Sequence, residues 1–216
     1  MRFEFILLQL GKGFLTTFAI FALTLVFSLP LGLLVSFGRM SKIFLVRVIT
    51  KFYISIMRGT PLMPQLIVVY FGPFYVFGIQ LGRSYRFTAV IIAFVLNYAA
   101  YFAEIYRSGI ESMPAGQYEA ATVLGYTKSQ TFFKIILPQV TKRILPPVTN
   151  ETITLVKDTS LAFVLTIVEV FTMAKQIAAA ETTIMPLMVA GLFYYLFNLT
   201  VATGMEKIEA RLNYYR

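Results

Sequence analysis

The 216-residue chain contains no cysteine and no histidine. Disulfide and thiol chemistry are therefore excluded, as are metal sites built on imidazole, and the redox compartment leaves no mark on the sequence. Charge is sparse: Asp, Glu, Lys and Arg together make up 13% of the residues. No phosphate-cradling G-x-x-x-x-G-K-[ST] run occurs, and Gly11-Lys12-Gly13 is only a fragment of one. The chain is thus not itself an ATPase. With neither His nor Cys and no soluble domain, it points away from a catalytic centre.

What is present is apolar surface. The hydrophobic set accounts for 58% of the residues, and mean hydropathy is +0.75, where soluble chains are about 45–50% apolar. Residues 13–38, 59–82 and 182–205 carry no charge. Each run exceeds the ~20 residues needed to cross a ~30 Å hydrocarbon core. The chain reads as an all-α integral membrane protein, a single transmembrane domain over 1–216. Its first run is longer than the roughly 7–15-residue core of a signal peptide and reads as a retained helix. The 21 Phe and 13 Tyr suit lipid-facing packing and interfacial anchoring better than a ligand cage.

Five spans fit best, at about 13–37, 53–77, 87–106, 144–167 and 186–205. With the N-terminus outside, the cytoplasmic segments hold most of the 19 basic residues. They comprise Arg39, Lys42, Arg47, Lys51 and Arg58, then Arg107, Lys128, Lys134, Lys142 and Arg143, then Lys207, Arg211 and Arg216. Arg2, Lys12, Arg83, Arg86 and Lys175 fall outside, and Lys157 lies within a span. The positive-inside rule favours this orientation, with the C-terminus cytoplasmic. The net charge of +9 is then a topology signal with some attraction to anionic lipid, not a nucleic-acid footprint. Pro30, Pro61, Pro64, Pro146 and Pro147 sit inside spans and read either as ordinary kinks or as hinges.

The longest non-membrane segment is 107–143. Pro114-Ala115-Gly116 marks a turn. A short helix is expected from Gln117 to Leu124, with Glu119 in its first turn complementing the dipole and Gly125 ending it in a left-handed conformation. Ser129 can cap a second helix through Thr131, Phe132, Ile135 and Ile136 to Pro138. Patterning alone leaves open whether this hairpin rests on the membrane or receives a partner.

The spacing Glu119-Ala120-Ala121, Gly125, Ile135 and Leu137-Pro138 resembles the EAA loop of ATP-binding-cassette (ABC) importer permeases. Glu104-Ile105-Tyr106-Arg107-Ser108-Gly109-Ile110, Lys157-Asp158-Thr159-Ser160-Leu161 and Met57-Arg58-Gly59-Thr60-Pro61-Leu62 resemble the polar amino-acid branch, the histidine, arginine and glutamine type. The resemblance spans roughly residues 10–210, in order. Ser108 and Pro64 depart from it, standing where glycine and an aliphatic residue are expected. The resemblance implies the type I importer fold, five transmembrane helices with a cytoplasmic coupling-helix hairpin, in a prokaryotic inner membrane. It implies two permease subunits, identical or closely related, on two ABC ATPase subunits that carry ATP and Mg²⁺, with no cofactor on this chain. An extracytoplasmic binding protein delivers an amino acid. ATP binding draws the coupling helices together and opens the path outward, and hydrolysis returns it inward. Glu119, Ala120, Ala121 and Gly125 match the coupling positions.

Charges in the fourth span are the candidate substrate ligands. Glu151, Thr154 and Asp158 follow i, i+3, i+7 on one helical face, and Asn150 extends the stripe. A charge at the bilayer centre costs about 2.5–3.5 kcal/mol on insertion scales unless it faces a cavity or a partner. Either Lys157 pairs with a carboxylate for folding, or the stripe lines a substrate site near the midplane. Asn97 is a further candidate, and Glu104 either joins it or pairs with Arg107. Two carboxylates suit a basic amino acid (arginine, lysine or histidine), with glutamine or glutamate as the alternative. Rival readings are a permease for another solute, an ATPase-free transporter and a structural scaffold.

Overall fold

The computed structural model describes residues 3–212; Arg2 and Arg216, which enter the charge balance across the membrane, lie outside the described residues. Helix α1 runs Phe3–Arg39, about 55 Å at 1.5 Å per residue. It begins well before the expected position 13, because exposed Lys12 can carry its ammonium away from apolar surroundings on its flexible stem. One face buries small residues, among them Gly13, Thr17, Ser28, Gly32 and Ser36. The opposite face exposes Leu15, Val26 and Leu34, as contact with lipid requires. Pro30 lies within this single helix.

The small-residue face packs on α4 (Tyr85–Glu111), whose Ala89, Ala93, Ala99, Ala100 and Ala103 are buried. Without a hydrophobic drive between helices in lipid, close backbone approach is what van der Waals packing rewards. At Gly32 the approach is tightest: a Cβ there would lie 2.8 Å from Phe102 Cβ and 3.0 Å from the Ala99 carbonyl oxygen. Helix α4 is the centre of the bundle, with Phe94, Tyr98 and Phe102 fully or nearly fully buried and joined to α1, α3 and the chain from Leu155 to Leu165 in one cluster.

The second span, expected at about 53–77 with Pro61 and Pro64 as kinks or hinges, is broken outright. It is two helices, α2 (Phe44–Gly59) and α3 (Leu62–Phe77), bent by 114°. Pro61 fixes an extended N-cap for α3, and Pro64 falls in the first turn, where a missing N–H has no intrahelical acceptor. The departure from the family pattern at Pro64 is therefore accommodated.

The polar segment forms α5 (Ala115–Val123), a single turn α6 (Lys128–Gln130) and a π-helical turn, Thr131–Ile136. These lead without a stop into α7 (Leu137–Asp158). Three local expectations are corrected. Helix α5 starts at Ala115, so Glu119 lies beyond its first turn. The cap is Thr127, in a reciprocal capping box with Gln130, rather than Ser129. Pro138 sits in the first turn of α7, where proline is tolerated, and does not end a helix.

After α7, a 3₁₀ segment (Thr159–Leu165) precedes a 57° bend into α8 (Val170–Glu181). Helix α9 is Met185–Leu212. Among the described residues, helices α1, α4 and α9 are each long and apolar enough to cross a membrane, and counting each bent pair as one broken span gives up to five. At the second bend Glu169 is fully buried. It caps α8 by accepting from the Phe171 and Thr172 amides at 2.8 and 2.7 Å, and it also accepts from the Thr172 hydroxyl and, at 2.6 Å, from the Tyr194 hydroxyl of α9.

Candidate functional site

The break between α2 and α3 leaves backbone carbonyls without helical partners inside the bundle. Two side chains satisfy them. Gln65 Nε2 donates to the Met57 and Thr60 carbonyls, both at 3.1 Å, and to Thr60 Oγ1 at 2.8 Å. Asn97 Nδ2 of α4 donates to the Met57 carbonyl and to Gln65 Oε1, both at 3.0 Å. Non-helical backbone within a membrane span persists only where protein buries it or a cavity adjoins it. Gly59, Thr60 and Pro61 are exposed on this chain, and a cavity adjoins Thr60 and Pro61.

The adjoining cavity is a cleft of about 410 Å³. One wall is the break, Thr60-Pro61-Leu62; the other is α7, with Glu151, Thr154 and Asp158; Asn97, Tyr98 and Tyr101 of α4 lie between. Periodicity puts the three α7 residues on one face, and that face is the one turned to the cleft. Asp158 Oδ2 accepts from the buried Tyr98 hydroxyl at 2.7 Å. Among the described residues Glu151 has no side-chain hydrogen bond and no ion pair within 4.0 Å. Leu62, the first residue of α3, lines the same space. The cleft thus offers two carboxylates on one side and the start of α3, the positive end of its dipole, on the other.

Asn150 does not line the cleft; it is exposed, and its carbonyl accepts from Thr154 Oγ1. Asn97 does line it, but its amide donors are committed to the break. Lys157 is exposed on this chain and, among the described residues, forms no ion pair within 4.0 Å. Glu104 is paired: Arg107 holds it at 2.7 Å, with Arg39 at 3.7 Å and Arg58 at 4.0 Å, and Arg107 also contacts Glu111. This cluster ties the C-terminal ends of α1, α2 and α4 together.

The α5 hairpin presents a different surface. Gly125 adopts φ +80°, closing α5 in the left-handed region. Glu119 and Ala120 are exposed, and Val123 and Leu124 project apolar side chains at 87% and 73% exposure. Ala121 instead turns inward and is buried in the chain's own hairpin. A mutual pair of 2.9 Å hydrogen bonds between Gln117 and Gln139 fastens α5 to α7.

Residues 28–214 match the family described as binding-protein-dependent transport system inner membrane component. The chain belongs to that family. This transport component is 35% identical to the L-cystine transport system permease protein TcyB of Bacillus subtilis (strain 168), over 95% of this chain and 87% of the relative. It is 36% identical to the arginine transport system permease protein ArtQ of the same organism, over 93% and 91%. The crystal structure of an amino acid ABC transporter with histidines aligns with a TM-score of 0.85 at 30% identity, covering 94% of each chain.

Several residues of the transport component's cleft escape sequence reasoning. Thr60 and Leu62 carry no charge and sit in an apolar run, and their position depends on a break that the run conceals. Tyr98 is one of 13 tyrosines, and only its bond to Asp158 sets it apart. Outside the cleft, Arg58 reads in sequence as part of a cytoplasmic basic segment, yet it lies against the ring of the cleft residue Tyr101, 5.3 Å from the centroid.

Proposed function

We propose that this chain, one permease domain, is the non-catalytic membrane subunit of an ATP-driven amino-acid importer, and that the central cleft receives the amino acid. The observation that carries this is the pairing, in one cleft, of two carboxylates with the open N-terminus of α3. An α-carboxylate fits the helix end, where free N–H groups and the dipole favour an anion. An α-ammonium or a cationic side chain fits Glu151 and Asp158, with Thr154 beside them. Glu151 and Asp158 are about 10 Å apart along the α7 axis, which suits a ligand with two separated cationic ends. A basic amino acid is therefore favoured over glutamine or glutamate. The names of the relatives, one for cystine and one for arginine, are consistent with an α-amino acid of either kind.

Transport follows from coupling. A second permease subunit, identical or closely related, completes the path. Two ABC ATPase subunits hold ATP and Mg²⁺, and each receives an α5 hairpin through Glu119, Ala120, Val123, Leu124 and the Gly125 turn. Ala121 acts from behind, by seating α5. An extracytoplasmic binding protein delivers the ligand on the Phe77–Tyr85 side, so the N-terminus lies outside and the hairpin and C-terminus are cytoplasmic. The test is ATP hydrolysis by the reconstituted complex with its binding protein across a panel of amino acids. Stimulation by arginine, lysine or histidine supports the acidic cleft. Stimulation by glutamate alone refutes the charge reading, and failure to assemble with an ATPase refutes the coupling.

A further inference from the structure

A second space of about 270 Å³ opens on the α5 side of the central cleft. Glu151 and Tyr101 line both spaces, and Arg58 and Glu104 line only the second. Among the described residues, the guanidinium groups of Arg39, Arg58 and Arg107 form ion pairs within 4.0 Å with Glu104 and Glu111 alone. Three cations thus share two carboxylates at that distance. Arg58 is the least committed of the three. Its contact is the longest, at 4.0 Å, and its side chain is 45% exposed against 24% for Arg39 and Arg107. The Tyr101 ring supports its guanidinium, which leaves the N–H fork free for a planar anion. Glu151 lies within electrostatic reach across the same space.

We propose that this space is a second, exit-side subsite for a free α-amino acid, which places its carboxylate on Arg58 and its ammonium on Glu151. The proposal rests on the reading of the central cleft as the amino-acid site. Because Glu151 borders both spaces, a departing ligand keeps one ionic contact while its carboxylate passes from the α3 N-terminus to the Arg58 fork. Amino acid arriving from the α5 side occupies the same subsite and opposes further release. Arg58 thereby makes the transporter sensitive to its own product.

The experiment uses the full complex in proteoliposomes with the ATPase outward and loaded binding protein inside. L-Arginine and L-glutamine are run as parallel probes, and ATP hydrolysis is measured as free amino acid is added on the ATPase side. Inhibition of the wild type is expected, with the half-inhibitory concentration rising about 10–100-fold in Arg58→Gln, the equivalent of one lost charge-assisted hydrogen bond. Arg58→Lys should restore only part of the inhibition, because lysine keeps the charge and loses the fork. Agmatine, arginine without its carboxylate, should inhibit the wild type far less than arginine does, a comparison that needs no variant. An unchanged half-inhibitory concentration in Arg58→Gln, or equal inhibition by agmatine and arginine, overturns the subsite. Failure of the underlying reading looks different: Glu151→Gln and Asp158→Asn would then keep full stimulation by the loaded binding protein, and both proposals fall together.

Discussion

Replacing Gly32 by alanine adds one methyl group where α1 and α4 are closest. The new Cβ would sit 2.8 Å from Phe102 Cβ, 3.0 Å from the Ala99 oxygen and 3.3 Å from the Ala103 amide nitrogen. Two of these neighbours are backbone, so no side-chain rotation relieves them, and one helix must move by several tenths of an ångström. Overpacking of this kind costs about 1–3 kcal/mol. Alanine also favours helix over glycine by about 0.8–1.0 kcal/mol, which would mask part of the cost. Gly11 supplies the control: it lies in the same helix, and a methyl group added there would meet nothing within 4 Å. The propensity gain is common to both substitutions and cancels in their difference. At about 2–4 °C per kcal/mol for a chain of this size, Gly32→Ala should melt roughly 2–12 °C below Gly11→Ala. The assay is the apparent melting temperature of the purified complex by fluorescence-detected size exclusion. Because Ala99 and Phe102 flank Tyr98 and Tyr101 on α4, ligand-stimulated hydrolysis should fall in Gly32→Ala as well. Equal melting temperatures for the two variants would refute the close-approach argument.

Other substitutions probe the cleft and the hairpin. Glu151→Gln and Asp158→Asn should each weaken amino-acid binding by about 10–100-fold, as expected for losing a charged hydrogen-bond partner, read by isothermal titration; unchanged affinity in both removes the site. Tyr98→Phe deletes only the hydroxyl that steadies Asp158, so its effect on affinity should be smaller than that of Asp158→Asn, and a larger effect would place Tyr98 itself on the ligand. Gly125→Asp adds a charged side chain to the turn at φ +80°, a conformation that aspartate tolerates better than most residues, and should reduce ATPase co-purification while the permease still inserts. Ala121→Leu, at a buried position, should loosen the hairpin itself, detected as new protease cleavage near Val123.

The parts legible in the sequence share one property: their signal is local. The i, i+3, i+7 spacing of Glu151, Thr154 and Asp158 needs only helical geometry to put them on one face, and the structure turns that face to a single cleft. Gly125 announces its left-handed turn by being glycine after a short helix. The parts that are not legible depend on distant partners. Residues 59–82 read as one uncharged run, and nothing within it reveals that Asn97 and Gln65 hold a 114° bend open. Pro61 is visible as a proline, but proline is compatible with a kink or with a complete break. Ala121 and Ala120 look alike in sequence, and only the packing of α5 buries the one and exposes the other. Glu169 carries no local signal beyond the expected end of span four, yet its carboxylate takes four hydrogen bonds across α8 and α9.

The bend between α2 and α3 also bears on how the chain is made. The ribosome delivers residues in order, and Asn97 emerges 40 residues after the Met57 carbonyl that it serves. An unpaired carbonyl in hydrocarbon costs several kcal/mol, so the bend cannot wait unprotected in lipid for α4. Gln65 follows Met57 by only 8 residues and Thr60 by 5. We expect Gln65 to act as the provisional partner during synthesis, letting the bent hairpin leave the translocon before α4 exists. Asn97 then arrives to complete an arrangement that its predecessor has kept soluble in the bilayer.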